Sequence, residues 1–138
     1  TDMAQAYMKE DSGVIRAENV ESLFDYALAF ASQPLPKGNR VAVITNAGGP
    51  GIMAADAAEQ LGLRMVTPTA ATQVKLKAVL PPTAAFGNPV DVIGDADPDR
   101  YMTAFDRVQD DPGTDAIIVV VTPQISPLAL TPSQLIVP

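Results

Sequence analysis

Asn46-Ala47-Gly48-Gly49-Pro50-Gly51 stands directly after the apolar run Val41-Ala42-Val43-Ile44-Thr45 and directly before the alanine-rich stretch Ile52–Leu61. A strand buried on both faces reads as such a continuous apolar run bounded by turn residues, so the hexapeptide is a strand-to-helix turn. The chemistry such a turn offers is anion binding. The first backbone N–H groups of a helix lack partners within it and carry partial positive charge. Gly48, Gly49 and Gly51 let a phosphate or carboxylate approach the backbone closely, and Pro50 presets a helical φ. The turn holds no cation, so an anion here would be bound by backbone alone. The same residues also suit a tight βα turn whose glycines serve only packing. A Walker A loop is excluded, because Ile52 stands where a Lys-Ser/Thr pair would follow the last glycine. Glycines at 48, 49 and 51 also lack the G-x-G-x-x-G spacing of a dinucleotide fingerprint.

Two further stretches carry side chains capable of chemistry. Gly87-Asn88-Pro89 is a turn that leads into Val90-Asp91-Val92-Ile93 and Gly94. Strands carry Asp poorly, so Asp91 belongs at an edge, at a strand end or in a hydrogen bond; a structural Asp tying two loops satisfies the same constraint. Gly94-Asp95-Ala96-Asp97 precedes another helix. Its two carboxylates would repel a free anion, and Asp97 followed by Pro98 reads as a helix N-cap. Asp106, Asp110, Asp111 and Asp115 read as a solvated acidic face. The sequence contains no serine nucleophile elbow and no clustered metal ligands.

The elements that must position these residues alternate. Residues 1–12 are polar and aperiodic, a linker or a frayed helix. An amphipathic helix runs from about Glu18 to Ser32, with Val20, Leu23, Phe24, Ala27, Leu28 and Ala31 on one face, and Pro34 and Pro36 end it. Strands are expected at 41–45, 64–67, 90–93 and 116–121, and helices at 52–61, 72–80 and 98–109, with Gly62 a natural helix stop. Strands alternating with helices predict a doubly wound parallel sheet, with the strand at 41–45 internal. The fold class is α/β, a three-layer sandwich. Residues 125–138 contain three prolines and no period, and are expected to be an irregular tail.

Composition narrows the function classes. The chain has 138 residues, enough for one domain, with 47% hydrophobic but only 5% aromatic residues. Aliphatic side chains must therefore fill the core. A net charge of −7 opposes nonspecific nucleic-acid binding and gives no attraction to anionic lipid. No apolar run approaches the roughly 20 residues of a membrane span. Cysteine is absent, which excludes disulfides and thiolate chemistry and fits a reducing cytoplasm. Histidine is absent too. A histidine base, phosphocarrier or metal ligand must come from another chain or domain. The first residue is Thr rather than Met, as in a piece of a longer chain.

Three stretches together carry a family resemblance. They are GVIRAENVESLFDYALAFASQPLPKGNRVAVITNAGGPGIMAADAAEQLGL, LPPTAAFGNPVDVIGDAD and DAIIVVVTPQ, spanning Gly13 to Gln124. The chain resembles the ADP-forming (NDP-forming) acyl-CoA synthetases, the acetyl-CoA synthetase relatives of succinyl-CoA synthetase. TNAGGPG followed at distance by NPVD is the most specific part. The resemblance implies a flavodoxin-like CoA-ligase domain over 13–124, the second of two such domains. A CoA-binding domain, a phosphohistidine domain and an ATP-grasp domain are its implied partners, with an oligomer possible. The implied reaction converts acyl-CoA, phosphate and ADP to acid, CoA and ATP through an acyl phosphate and a phosphohistidine. ADP/ATP, Mg and CoA would belong to the full enzyme, with no cofactor bound by this chain alone. The resemblance assigns Asn46, Ala47, Gly48, Gly49 and Gly51 to the phosphohistidine, with Asn88, Asp91 and Gly94 as a supporting loop. It also leaves two other classes open: a ligand-sensing, acyl-CoA-synthetase-like region of a protein acetyltransferase, and a non-catalytic flavodoxin-like interaction domain.

Overall fold

The computed structural model describes residues 15–123. The expected linker at 1–12 and the expected tail at 125–138 lie outside the described residues. The chain divides into two compact units at Leu35/Pro36. In the first, helix α1 spans Val20–Ser32. It starts two residues later than the sequence reading placed it, because Asn19 caps it: the Asn19 side chain accepts the N–H of Ser22 at 2.8 Å. No residue of α1 is buried, and Leu23, Phe24 and Leu28 are each more than half exposed.

The second unit holds every other element of the described residues: β1 (Arg40–Thr45), α2 (Gly48–Gln60), β2 (Arg64–Met65), α3 (Ala70–Val79), β3 (Ala85–Phe86), β4 (Val90–Asp91), α4 (Pro98–Gln109) and β5 (Ala116–Val120). Strand β1 is the centre of the sheet. It pairs in parallel with β5 along Val41–Thr45. On its other edge it pairs in parallel with β2 at Arg40–Val41 and with β4 at Ile44–Thr45. The internal position expected for 41–45 is therefore borne out, and Val41, Ala42, Val43, Ile44 and Thr45 are all buried. Strand β3 pairs antiparallel with β4, an addition to the four strands expected from the sequence. Successive β1 residues serve opposite faces. Ala42 and Ile44 join Leu76 of α3, Leu80 at its C-cap, and Tyr101, Ala104 and Val108 of α4 in one core cluster. Helix α2 packs on β1, β2 and β5. This is a doubly wound, flavodoxin-like α/β arrangement.

Strands β2 and β4 are shorter than the apolar pattern suggested, and one side chain explains how both share an edge of β1. Asn88 fills the gap between them. Its Oδ1 accepts the N–H of Val43 at 2.8 Å, and its Nδ2 donates to the carbonyls of Val41 and Val66, each at 2.9 Å. The amide replaces the ladder bonds that a continuous strand would make, as buried backbone groups require.

The acidic-face reading of 106–115 needs correction. Asp106 and Asp110 are exposed, but Asp111 is buried at 2% exposure. It accepts the N–H and hydroxyl of Thr69, at 2.8 and 2.6 Å, and the N–H of Gly113 at 2.8 Å. Asp115 takes a forked ion pair from Arg40, at 2.8 and 2.7 Å, and the Arg40 N–H at 3.0 Å. Those bonds hold its carboxyl down at about 2. Asp111 ties its loop to the N-cap of α3, and Asp115 ties its own to β1, instead of facing solvent. Among the described residues, no helix is long and apolar enough to cross a membrane.

Candidate anion site at the α2 N-terminus

Because β1, β4 and β5 run parallel, their carboxyl ends meet at one edge of the sheet, where open α/β sheets bind ligands. Asn46 follows β1, Asp91 ends β4 and Thr122 follows β5. The expected turn is shorter than the sequence suggested. Gly48 is already helical, so Gly48, Gly49, Pro50 and Gly51 form the first turn of α2 and Ala47 is its N-cap. Ala47 has no side chain able to cap, and no side-chain bond closes this helix end. The first backbone bond of the turn runs from the Gly51 N–H to the Ala47 carbonyl at 3.0 Å. The N–H groups of Gly48 and Gly49 find no acceptor among the described residues, and both glycines are exposed.

The three glycines differ in what they permit. A Cβ at Gly49 would meet nothing within 4 Å. At Gly48 it would meet only an Asp91 carboxylate oxygen, 3.9 Å away. At Gly51 it would stand 2.6 Å from Thr45 Cγ2 and 3.3 Å from Pro89 Cγ. Gly51 thus lets the helix sit down on the sheet, while Gly48 and Gly49 leave the amides bare. Gly51→Ala is expected to lower stability by about 1–3 kcal/mol, the usual cost of overpacking, against roughly 1 kcal/mol regained from helix propensity. Gly49→Ala, with open space around it, is expected to raise the melting temperature slightly. Thermal melts of the two variants side by side check this; a stabilised Gly51→Ala would contradict the packing.

The other predicted residues divide into two groups. Asn46 is 2% exposed, and its side chain donates to the Thr122 carbonyl at 2.7 Å. It also accepts the Thr122 N–H and hydroxyl, each at 2.9 Å. It locks the ends of β1 and β5 together beneath the turn, and its side chain is committed there. Asn88 is likewise committed to the sheet. Asp91 lies at the site: its Oδ1 accepts the Ile93 N–H at 2.8 Å, while Oδ2 is the atom near Gly48. Ile93 carries φ of 72°, a region a β-branched residue rarely enters. Gly94 follows it in the same loop. Asp97 caps α4 through the Arg100 N–H at 2.8 Å, as its position beside Pro98 predicted, and Asp95 pairs with Arg100.

Sequence reasoning missed Thr45, Thr122 and Tyr101. Tyr101 is 1% exposed and donates to the Val120 carbonyl at 3.0 Å. Burial pushes its hydroxyl well above the usual phenol range, with the Asp91 charge adding to the effect, so it stays a neutral donor. Thr45 is fully buried, and its hydroxyl accepts the Ala47 N–H at 3.0 Å and donates to the Ala47 carbonyl at 2.9 Å. The one signal was a Thr closing an otherwise aliphatic strand.

The fold and this edge define an α/β domain with an uncapped helix N-terminus at the carboxyl edge of its sheet. Comparison with known proteins narrows the class. The Ligase-CoA domain model matches residues 41–135, and the chain belongs to that family. It is 40% identical over 114 residues to a 4-hydroxybutyrate–CoA ligase [ADP-forming] of Nitrosopumilus maritimus, covering 83% of this chain and 16% of the relative. It is 40% identical over 126 residues to an acetate–CoA ligase [ADP-forming] II subunit alpha of Pyrococcus furiosus, covering 91% and 27%. Among solved structures, a dinucleotide-forming acetyl-coenzyme A synthetase 1 of Ca. Korarchaeum cryptofilum, in complex with phosphate and ADP, matches with a TM-score of 0.75 at 32% identity, covering 87% of this chain and 25% of that one. The chain spans between about a sixth and a quarter of the length of these relatives.

Proposed function

We propose that this chain works as one domain of an ADP-forming acid–CoA ligase. Within that enzyme it holds the phosphoryl group carried by a histidine of a neighbouring domain. The observation that carries the reading is the first turn of α2, where the Gly48 and Gly49 amides stand exposed, uncapped and free of side chains at the carboxyl edge of the sheet. A phosphoryl group placed there meets oriented donors and the positive end of the helix dipole. The chain contains no histidine, so the carrier must arrive from outside it. The overall reaction is acyl-CoA, phosphate and ADP going to acid, CoA and ATP, with ADP, Mg and CoA bound by other domains. Two relatives of equal identity are named for different acids, 4-hydroxybutyrate and acetate. This favours an acid pocket built elsewhere in the enzyme.

The test is a pair of assays. The full-length protein should form ATP from acyl-CoA, ADP and phosphate through an acid-labile phosphohistidine, and the pure 138-residue chain should form none. ATP made by the pure chain, or turnover in the full-length protein without any phosphohistidine, would sink the proposal.

A further inference from the structure

We infer that Thr45 is the positioning residue that aims the Gly48 and Gly49 amides, an inference that rests on reading the α2 N-terminus as a phosphoryl cradle. Thr45 is the last residue of β1 and is fully buried, where a residue needed only to fill the core would be the isosteric Val. Its hydroxyl is used twice, and both times on Ala47: it accepts the Ala47 N–H and donates to the Ala47 carbonyl. Ala47 is the N-cap, the residue at which the chain turns from strand to helix. Its carbonyl belongs to the same planar peptide as the Gly48 N–H. Fixing that carbonyl therefore fixes the direction of the first free N–H. The Ala47 carbonyl also receives the Gly51 N–H at 3.0 Å, so a single oxygen, held by Thr45, anchors both ends of the first turn.

The other branch of the side chain supports the same turn. Thr45 Cγ2 lies against Gly51, so close that a Cβ there would be 2.6 Å away. The methyl sets the height of the helix above the sheet, and the hydroxyl sets the rotation of its first peptide. No side chain of the helix itself caps this end. The direction of the cradle thus comes from the strand beneath it.

Two substitutions separate the two branches. Thr45→Val keeps the methyl and removes the hydroxyl; Thr45→Ser keeps the hydroxyl and removes the methyl. Three quantities are read on the 138-residue chain: the Kd for inorganic phosphate from the Gly48 and Gly49 amide shifts, the melting temperature, and amide hydrogen exchange at Ala47 without phosphate. Thr45→Val should bind phosphate about tenfold more weakly, whereas Thr45→Ser should bind within about twofold of wild type although it melts lower. Wild-type binding by Thr45→Val, or loss of affinity in both variants in step with their melting temperatures, would overturn the inference. If wild type itself shows no saturable shift at Gly48 and Gly49, the cradle reading fails. Exchange at Ala47 then judges Thr45 alone: faster in Thr45→Val than in Thr45→Ser supports the clamp, and equal rates overturn it.

Discussion

On the proposed function, Gly49→Val is expected to leave the melting temperature of the full-length protein nearly unchanged while slowing phosphoryl transfer from histidine to ADP by about a hundred- to a thousandfold. The two halves of that expectation have separate causes. A Cβ at Gly49 meets nothing within 4 Å, and the residue is exposed in the first turn of α2, so valine displaces no packed atom. Glycine is also the poorer helix former of the two, which offsets the stiffness of a β-branched side chain. The same open space is where a phosphoryl oxygen must come to reach the amides, and the valine methyls would occupy it. Losing one preorganised donor at such a position costs about 2.7–4 kcal/mol of transition-state stabilisation. Calorimetry and single-turnover transfer on one preparation separate the causes. A variant that melts lower yet transfers phosphate at the normal rate would make Gly49 a structural residue and the assignment wrong.

Asn88→Ala is expected to have the largest effect on stability, roughly 3 kcal/mol or more, with no direct contact to the cradle. Truncation removes the partner of the Val43 N–H and of the Val66 carbonyl at once, and one of the two donors to the Val41 carbonyl, which keeps the Val66 N–H at 3.0 Å. Each buried group left without a partner costs about 1–3 kcal/mol, and a domain of this size holds only about 5–15 kcal/mol in total. Urea unfolding of the 138-residue chain measures it through the shift in midpoint at constant slope. A loss below about 1 kcal/mol would mean that water or a strand shift replaces the amide, and that the gap between β2 and β4 is not held by Asn88.

The order of elements was legible because this sheet is built from consecutive aliphatic runs. Val41–Thr45 and Ala116–Val121 have the continuous apolar character of strands covered on both faces, and both pair as expected. Asp97-Pro98 marked a helix start, and Gly62, with φ of 83°, the stop of α2, because each meets a local backbone demand. What was not legible depends on partners distant in sequence. Asn88 reads as a turn residue, and only the fold brings it to Val43, 45 residues away. Asp111 belongs by composition to an acidic run, and Thr69, distant in sequence, helps make it a buried acceptor. At the site, the glycines announced a bare backbone, but the sequence could not divide their labour. Gly51 is required by Thr45 and Pro89 beneath it, while Gly49 faces open space.

On the proposed function, the Gly48 and Gly49 amides receive a phosphoryl group borne on an imidazole. The most direct measurement is an amide NMR titration of the 138-residue chain with N-phosphoimidazole, with imidazole alone as the control. Saturable shifts concentrated at Gly48 and Gly49, seen with the phosphorylated ring and absent with imidazole, are the predicted result. Equal shifts with both compounds, or shifts that leave Gly48 and Gly49 unmoved while other residues respond, would contradict it.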